Sequence, residues 1–528
     1  MSLHCIQAPR KRRGYLLARG LVSLIGSLCL SLPLLGSLGC KPDAPTAPLV
    51  VRTEPTEDLT PKIQRFCSRC HYLPPADTFP RSAWRHEVEQ GFSFHDRFGT
   101  SKKDVPPIDA VVKYFEDRAP LELPPADIHY SSHPYAASFE PMPLPELAVP
   151  EAPAISNVNL VHLFDDKHFD ILVCNMRHGQ IMVYQPYLPH PTWKILGKVS
   201  NPAHAEVVDL DGDGIKDIIV ADLGSFPPTD RTCGKVVWLR GNKDGTFTPH
   251  VLLDEVGRVA DVQAADFRGT GKLDLVVAVF GWQATGEIIL LENHTTDWTH
   301  PLFKKQVLDY RHGTIHVPVA DLNGDGKPDF VALISQEHET VVAFINRGDG
   351  TFDRKTLYAA PHPAYGSSGI QLVDLNGDGK LDVLYTNGDV LDQPYLLKPY
   401  HGIQWLENKG NLNFEHHWIA PMYGVHRAFA ADFRGEGKMD IVAVSFLPTE
   451  GFPQRDEKHL DAMVMLEQSS PGVFVRHRIA SKTCDHVSCI AGDVFGTGRI
   501  DLVVGNFYGP NDKKFSPVTI YRNMGRRK

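Results

Sequence analysis

The feature that most constrains this chain is a nine-residue pattern of aspartates and glycines that returns at nearly regular intervals. Asp209-Leu-Asp211-Gly-Asp213-Gly214-Ile215-Lys-Asp217 is followed by the apolar run Ile218-Ile-Val-Ala. The same arrangement occurs at Asp321-Leu-Asn323-Gly-Asp325-Gly326-Lys327-Pro-Asp329 and at Asp374-Leu-Asn376-Gly-Asp378-Gly379-Lys380-Leu-Asp382. Degenerate copies begin at Asp266, Asp432 and Asp493, so successive starts lie 53 to 61 residues apart. A period of this size marks tandem supersecondary units, none of which can bury its apolar face without its neighbours. Each loop leads into a β-rich run such as Leu275-Val-Val-Ala-Val or Ile441-Val-Ala-Val. Later in the unit comes a second strand (Val236-Val-Trp-Leu, Ile403-Gln-Trp-Leu) and often an Asp-Gly-Thr-Phe turn, as at Asp244 to Phe247 and Asp349 to Phe352.

These motifs resemble the FG-GAP/VCBS repeats of integrin α N-terminal propellers and of many bacterial exported proteins. The resemblance implies four strands per unit, which is one propeller blade. A weaker unit precedes the first full loop: Asn157 to His162, then Asp165-Asp166-Lys-His-Phe-Asp170, then Ile171-Leu-Val-Cys. Counting it gives seven blades. The last unit ends before a fourth strand, and a ring of sheets cannot leave such an edge unpaired. A segment around Tyr130 to Phe139 is therefore expected to supply the missing outer strand.

Alternating oxygen ligands with glycine at the sharp turn suit calcium, which takes six to eight oxygens in flexible geometry. The expected ligands are the side chains of Asp209, Asp211, Asp213 and Asp217 with the Ile215 carbonyl. In the next loop they are Asp321, Asn323, Asp325 and Asp329 with the Lys327 carbonyl; in the third, Asp374, Asn376, Asp378 and Asp382 with the Lys380 carbonyl. The alternative is that these are solvated Asx turns. Arg268, Arg434 and Phe495 replace the third-position ligand in the degenerate copies. Those loops are expected to be metal-free, with a guanidinium satisfying Asp266/Asp274 or Asp432/Asp440 directly. About three structural calcium sites follow. His204, His316, His426 and His486 each lie five to seven residues before a loop. They are expected to converge at one end of a central channel, either binding a transition metal or an anion or satisfied within loop networks.

Upstream lies Cys67-Ser68-Arg69-Cys70-His71, a C-x-x-C-H string of the kind that attaches a c-type haem. Two cysteines at this spacing can form thioethers to one porphyrin, and the histidine presents an imidazole to the iron. A zinc site would need a fourth ligand, and no second C-x-x-C or H-x-x-x-H lies nearby; a structural disulfide is the other alternative. Leu59 to Phe66, Arg81 to Glu89 and Ile108 to Phe115 read as helices around the motif. A short helix ending in C-x-x-C-H with a later helix packed across it resembles a small class I cytochrome c domain. Such domains commonly supply methionine as the second axial ligand, yet after Met1 the next methionine is Met142. His86 and His95 are the candidates inside the segment. Bis-histidine ligation would lower the potential relative to His/Met, and an empty position would admit small ligands.

The chain opens with Arg10, Lys11, Arg12, Arg13 and Arg19 followed by an apolar run from Leu21 to Leu38, the form of an export signal. Uncleaved, that run is long enough to anchor the chain in a bilayer. Leu34 to Cys40 resembles a bacterial lipoprotein cleavage box, which implies lipidation of Cys40, although Ser37 stands where the box favours leucine. Arg12-Arg13 also looks like a twin-arginine signal, but export of a folded chain conflicts with haem attachment, so the pair reads as ordinary signal charge. Nine cysteines are few for a disulfide scaffold; Cys484 and Cys489 are close enough in sequence to pair. A net charge of −9 over 528 residues gives no basic footprint and argues against nucleic acid as a partner.

The expected architecture is mostly β: a seven-bladed β-propeller preceded by a small all-α cytochrome c-like domain. Residues 1–39 form a signal peptide, 40–58 a flexible tether, 59–120 the haem domain, 121–150 a linker with the closing strand, and 151–528 the propeller. The expected function is electron transfer by a c-type haem protein in the periplasm or outer envelope, anchored through lipid or its N-terminal segment. The calcium-stabilised propeller would dock a redox partner protein or an extracellular polymer. No catalytic set stands out, so two alternatives stand. One is a propeller oxidoreductase or polysaccharide-active enzyme passing electrons to the haem, and the other is an adhesion or scaffold protein.

Overall fold

A computed structural model describes residues 58–69, 71–99, 103–513 and 515–527. The expected signal peptide, Cys40, the tether up to residue 57, and Cys70 lie outside the described residues. The apolar run after each aspartate loop becomes the second strand of a blade, buried along its whole length. These strands are Asp170–Asn175, Asp217–Asp222, Asp274–Val279, Asp329–Ile334, Asp382–Asn387, Asp440–Ser445 and Asp501–Gly505. A strand covered on both faces needs no polar alternation, which explains the unbroken Val, Ile, Leu and Ala. Each pairs antiparallel with the strand before the loop and with the strand after, and a fourth strand completes the sheet on the outside. Seven such sheets form the blades.

The innermost strands line the channel: Ile155–Val161, Pro202–Val208, Val259–Ala265, Thr314–His316, Ser367–Val373, Val425–Ala431 and Ser488–Gly492. In blade 4 this strand is interrupted at Pro318, which has no N–H for the ladder, and resumes at Val319–Ala320. The hydrophobic cores lie between blades. Ile219, Val236 and Trp238 of blade 2 pack on Val262, Leu275 and Val277 of blade 3. Phe267 of blade 3 packs with Phe330 and Phe344 of blade 4. Val503 and Ile520 of blade 7 meet Ile155, Ile171 and Val173 of blade 1, so the packing runs unbroken around the ring.

Blade 7 takes its outer strand from far upstream. Ala137–Pro143 pairs antiparallel with Val518–Arg526, placing Met142 opposite Ile520 and Phe139 opposite Asn523. The closing strand thus begins near the end of the expected Tyr130–Phe139 stretch and runs past it. The residues just before it follow the outer edge of blade 6. Ser131 N–H donates to the Arg476 carbonyl at 2.8 Å, and the Tyr130 hydroxyl donates to Asp461 at 2.6 Å.

Among the described residues, three α-helices precede the propeller: α1 (Thr60–Cys67), α2 (Trp84–Phe98) and α3 (Ile108–Glu116). Ile63, Phe66, Trp84, Val88, Val111, Val112 and Phe115 form their shared core. Trp84 stacks on Phe115 with ring centroids 4.0 Å apart, and its indole N–H donates to the Ala76 carbonyl at 2.9 Å. The module is docked on the ring. Arg97 donates to Gln283 Oε1 at 2.6 Å, Ala364 and Leu396 pack against the helical core, and the Lys398 ammonium lies 5.8 Å from the Phe79 ring centroid. These partners all sit in loops at the end of the blades opposite the aspartate loops.

Cys484 and Cys489 do not pair. Both are free and buried, Cys489 in the core between blades 6 and 7 and Cys484 in a satellite cluster with Leu447 and Phe452. Among the described residues, no helix is long and apolar enough to cross a membrane.

Candidate functional site: two faces and a channel

The aspartate loops share one internal frame. The first aspartate accepts the N–H of the sixth residue in all six copies. The distances are 3.0 Å at Asp209, 2.7 Å at Asp266, 2.8 Å at Asp321 and Asp374, and 2.7 Å at Asp432 and Asp493. Aiming that N–H inward requires left-handed backbone at the fourth and sixth positions, with φ of 72° at Gly212 and 84° at Gly214. A Cβ at either glycine would meet nothing within 4 Å, so the requirement is conformational rather than spatial. The last aspartate ties the loop to the third strand. Asp217 accepts from Leu210 N–H at 2.9 Å and Gly241 N–H at 2.7 Å. Asp329 does the same with Leu322 and Asn346, and Asp382 with Leu375 and Asn408. Those three expected ligands are buried carboxylates with a structural duty of their own.

The three full loops differ in their suitability for a cation. At the first, Asp209 Oδ1 is buried and accepts no hydrogen bond among the described residues, while one donor atom each of Asp209, Asp211 and Asp217 lie within 4.8 Å of one another. An orphaned carboxylate oxygen in such a group fits calcium. Arg240 approaches the same loop, 2.6 Å from Asp211 and 3.5 Å from Asp213, and Asp213 Oδ1 accepts the Ile215 N–H. In the other two, Lys327 folds onto Asp325 at 3.1 Å and Lys380 onto Asp378 at 2.5 Å. Asn323 and Asn376 there accept the N–H groups of Asp325 and Asp378. In the degenerate loops the arginine selects the last aspartate. Arg268 is bidentate to Asp274 (2.8 and 3.0 Å) and Arg434 to Asp440 (2.7 and 3.0 Å), while Asp266 and Asp432 are satisfied by loop amides.

On the opposite face, α1 ends at Cys67, whose thiol burial pushes up to about 11. His71 follows with Nδ1 2.8 Å from the Tyr72 carbonyl, an oxygen that can only accept, so Nδ1 is the donor of that bond and Nε2 is the nitrogen turned away from it. Phe66, adjacent to Cys67, contacts Phe92 and His95 at centroid distances of 5.1 and 5.0 Å. His86 lies nine residues before His95, about half a turn around α2, and is exposed. Of the two candidate sixth ligands, His95 is the one beside the motif. A helix end bearing a cysteine, an apolar shelf and an imidazole whose Nε2 has no partner among the described residues are groups that a covalently attached porphyrin would use, while the second cysteine, Cys70, lies outside the described residues.

Between the faces, one channel tier is formed by the residues five before each loop start: His204, Asp261, His316, Gly369, Arg427 and Ser488, with Asn157 in blade 1. Asp261 bridges two histidines, with His204 Nδ1 at 2.9 Å and His316 Nδ1 at 3.7 Å, and also accepts Val317 N–H at 2.9 Å. Arg427 reaches over the Gly369 position to donate to His316 Nε2 at 3.2 Å; a Cβ on Gly369 would lie 3.2 Å from Arg427 Cδ. Burial opposes ionisation of Asp261, yet the neighbouring His204 and His316 hold its carboxyl well below the usual range. Burial, with Arg427 alongside, lowers His316 to about 4. One tier further, Asn159 donates to the Ala205 carbonyl and Glu206 and Gln371 accept the N–H groups of Ala264 and Ala430, stitching neighbouring inner strands together. A cavity of about 580 Å³ opens here, lined by Asn159, His162, His204, Glu206, Lys216 and Gln263.

Of the four histidines expected to converge, His204 and His316 do. His426 instead turns Nδ1 to the Val487 carbonyl at 3.2 Å, and His486 is buried in the loop leading into blade 7. Asp261 and Arg427 escaped the sequence reading, though aligning the position five before each loop would have exposed them.

Comparison with known proteins agrees with this geometry. The chain is 23% identical over 361 residues to cartilage acidic protein 1 of Homo sapiens, covering 63% of this chain and 51% of that protein. The Mus musculus protein of the same name is 20% identical over 360 residues, covering 63% and 52%. The chain thus spans about half the length of the curated relatives it matches. Residues 209–277 and 321–385 match the FG-GAP-like repeat family, so the blades built on the full aspartate loops are FG-GAP-like repeats within a seven-bladed propeller.

Proposed function

We propose that the protein is an exported scaffold: a rigid propeller that displays its helical module on one face and calcium-bearing loops on the other. The docking of the helices carries this reading. Arg97 on Gln283 and the apolar contacts of Ala364 and Leu396 fix the module to the ring, so the propeller works as a mount rather than a loosely tethered neighbour. The FG-GAP-like repeats and the seven-bladed ring supply the platform in this reading. The loops at Asp209, Asp321 and Asp374 hold calcium in this reading, with the first the best prepared. Export follows from the basic and apolar N-terminal segment, with Cys40 as the lipid attachment site. Cell fractionation after expression, with and without Cys40→Ser, tests it: the native chain should partition with the envelope membranes and the variant should be released. Recovery of both from the cytoplasm would overturn the reading.

A second reading is that the module carries covalent haem, making the scaffold an electron-transfer protein. The placement of His71 favours it, since Nδ1 is engaged at the end of α1 and Nε2 is left for iron. Cys67, Cys70 and His71 would hold the group, and His95 is the candidate for the sixth position. When bound, haem supplies a one-electron centre. Co-expression with cytochrome maturation machinery should yield a haem stain that survives denaturing electrophoresis and is lost in Cys67→Ala/Cys70→Ala. Absence of that stain in the native chain would sink the electron-transfer reading and leave the scaffold reading intact.

A further inference from the structure

We propose that His312, Glu337 and His338 form a binding site for a first-row divalent transition metal, with zinc as the reference ion. The site stands on the face that carries the helical module. His312 lies in the loop that leads from blade 3 into blade 4; Glu337 and His338 lie in the loop between the second and third strands of blade 4, after Asp329–Ile334 and before Thr340–Asn346. One ligating atom from each residue falls within 4.8 Å of the others. The two carboxylate oxygens divide between the rings: Oε2 is 2.9 Å from His312 Nε2 and Oε1 is 4.0 Å from His338 Nε2. Both imidazoles therefore turn the same nitrogen toward one carboxylate, and the rings themselves are 5.1 Å apart, edge to face.

Zinc with three protein ligands of the His/His/Glu kind keeps a fourth position open, at N and O distances of about 2.0–2.2 Å. Donors arranged tetrahedrally at that radius stand roughly 3.3–3.5 Å apart, so the present spacing needs only sub-ångström to ångström adjustments. A simple ion pair explains less: it needs one imidazole, and here two surround the carboxylate. The nearest arginine does not compete for it, because Arg311 is spent on Asp309 at 2.8 Å and on Thr340 Oγ1 at 3.3 Å. The loop is also held in place. Gln336 and Glu339 have φ of 58° and 41°, and Glu339 is buried, accepting the N–H groups of Gly366 and Ser367. Side chains between two such fixed points are presented rather than left to search.

The surface grouping of Glu407, Glu415 and His417 differs in this respect, because Lys409 lies 3.0 Å from Glu407 and 3.8 Å from Glu415 and supplies the cation already. It serves as the internal control. The full chain, freed of transition metals and kept in excess calcium, is titrated with zinc by calorimetry, and bound metal is counted by elemental analysis after gel filtration. One zinc per chain is expected, with binding weakened at least about tenfold in His338→Asn and in His312→Asn. Glu337→Gln keeps size and loop geometry and should show the same loss, and unchanged thermal melting of the metal-free variants separates lost ligation from lost folding. No zinc bound by the native chain, or equal binding by His312→Asn/His338→Asn, overturns the proposal. So does loss of binding in His417→Asn with the blade 4 residues intact.

Discussion

At the scale of single residues, the aspartate loops separate what holds a loop from what a loop can hold. Their frame is carried by amides and left-handed glycines common to all six copies, including those with arginine in place of a ligand. Gly326, at φ 81° with no heavy atom near its would-be Cβ, should therefore lose about 1–2 kcal/mol on substitution by alanine, purely from the backbone. Urea unfolding in calcium and in chelator should give the same loss. A loss confined to the calcium condition would mean that the glycine serves the ion instead. Arg434 makes a sharper case. Its guanidinium is 7% exposed and serves Asp440, Glu467 and the Gln468 carbonyl, while Asp440 also accepts from the Tyr135 hydroxyl. Arg434→Met strands a buried carboxylate, and about 3 kcal/mol of stability should go, measured by the shift in urea midpoint at unchanged slope. That the arginine pairs with an aspartate of its own loop was legible in the sequence, because a cationic side chain among loop carboxylates has few other purposes. That it pairs with the last aspartate and not the first was not legible, because the choice depends on amides of the folded loop. The channel tier was hidden for a related reason: Asp261 and Arg427 differ chemically from the histidines, and only equal position in the repeat joins them.

At the scale of elements, the second strands were the most legible part of the chain, since burial on both faces leaves a run with no polar interruption. The closing strand was the least. Pro141 and Pro143 argue against a strand wherever every N–H must be paired, yet on the outermost strand of a blade half of those groups face outward and a missing donor costs little. Helix α2 extends from the expected Arg81–Glu89 stretch to Phe98, because its last turns are stabilised by contacts that no local period reveals: His95 on Phe66 and Arg97 on Gln283. The same helix carries a pH-sensitive contact. Glu87 packs toward the propeller, where burial raises its carboxyl from 4.5 to about 7, with Lys398 opposing the rise and Asp392 adding to it. Because the folded-state value lies above the unfolded one, the folded protein binds more protons between them. Stability from this group is greatest below about pH 4.5 and declines as pH rises through about 7. Native chain and Glu87→Gln compared by denaturant unfolding at successive pH values should diverge over that window, with the native chain losing on the order of 1–2 kcal/mol relative to the variant by pH 8. Parallel profiles would show that the carboxyl is solvated and the contact loose.

At the scale of the molecule, the ring depends on a clasp between sequence positions almost four hundred residues apart. With its cores lying between blades, each blade is stable only if both neighbours are present, and blade 7 is complete only if Ala137–Pro143 lies on Val518–Arg526. That strand contributes more than backbone pairing. Tyr135 and Ala137 are buried in the core between blades 6 and 7, Met142 packs in the core between blades 7 and 1, and the Leu144 N–H donates to the Val518 carbonyl at 2.9 Å. At about 1.5–3 kcal/mol for each large buried side chain, losing the clasp removes several kcal/mol from a fold whose net stability is of similar size. It also uncovers a nine-residue strand, Val518–Arg526, as an open edge that can pair with another copy. The helical module, by contrast, has its own core, and its contacts with Gln283, Ala364, Leu396 and Lys398 fall in loops of the ring. Two truncations therefore separate module from clasp. A chain beginning at Ala126 lacks the helices but keeps the strand, and should remain monomeric with a single cooperative melt. A chain beginning at Pro145 lacks both, and should melt at least about 10 °C lower or without cooperativity, and associate during gel filtration. If the second chain melts like the first, the ring is closed by inter-blade packing alone and the upstream strand is dispensable. If the first already fails, the helices are part of the propeller's folding unit rather than a module mounted on it.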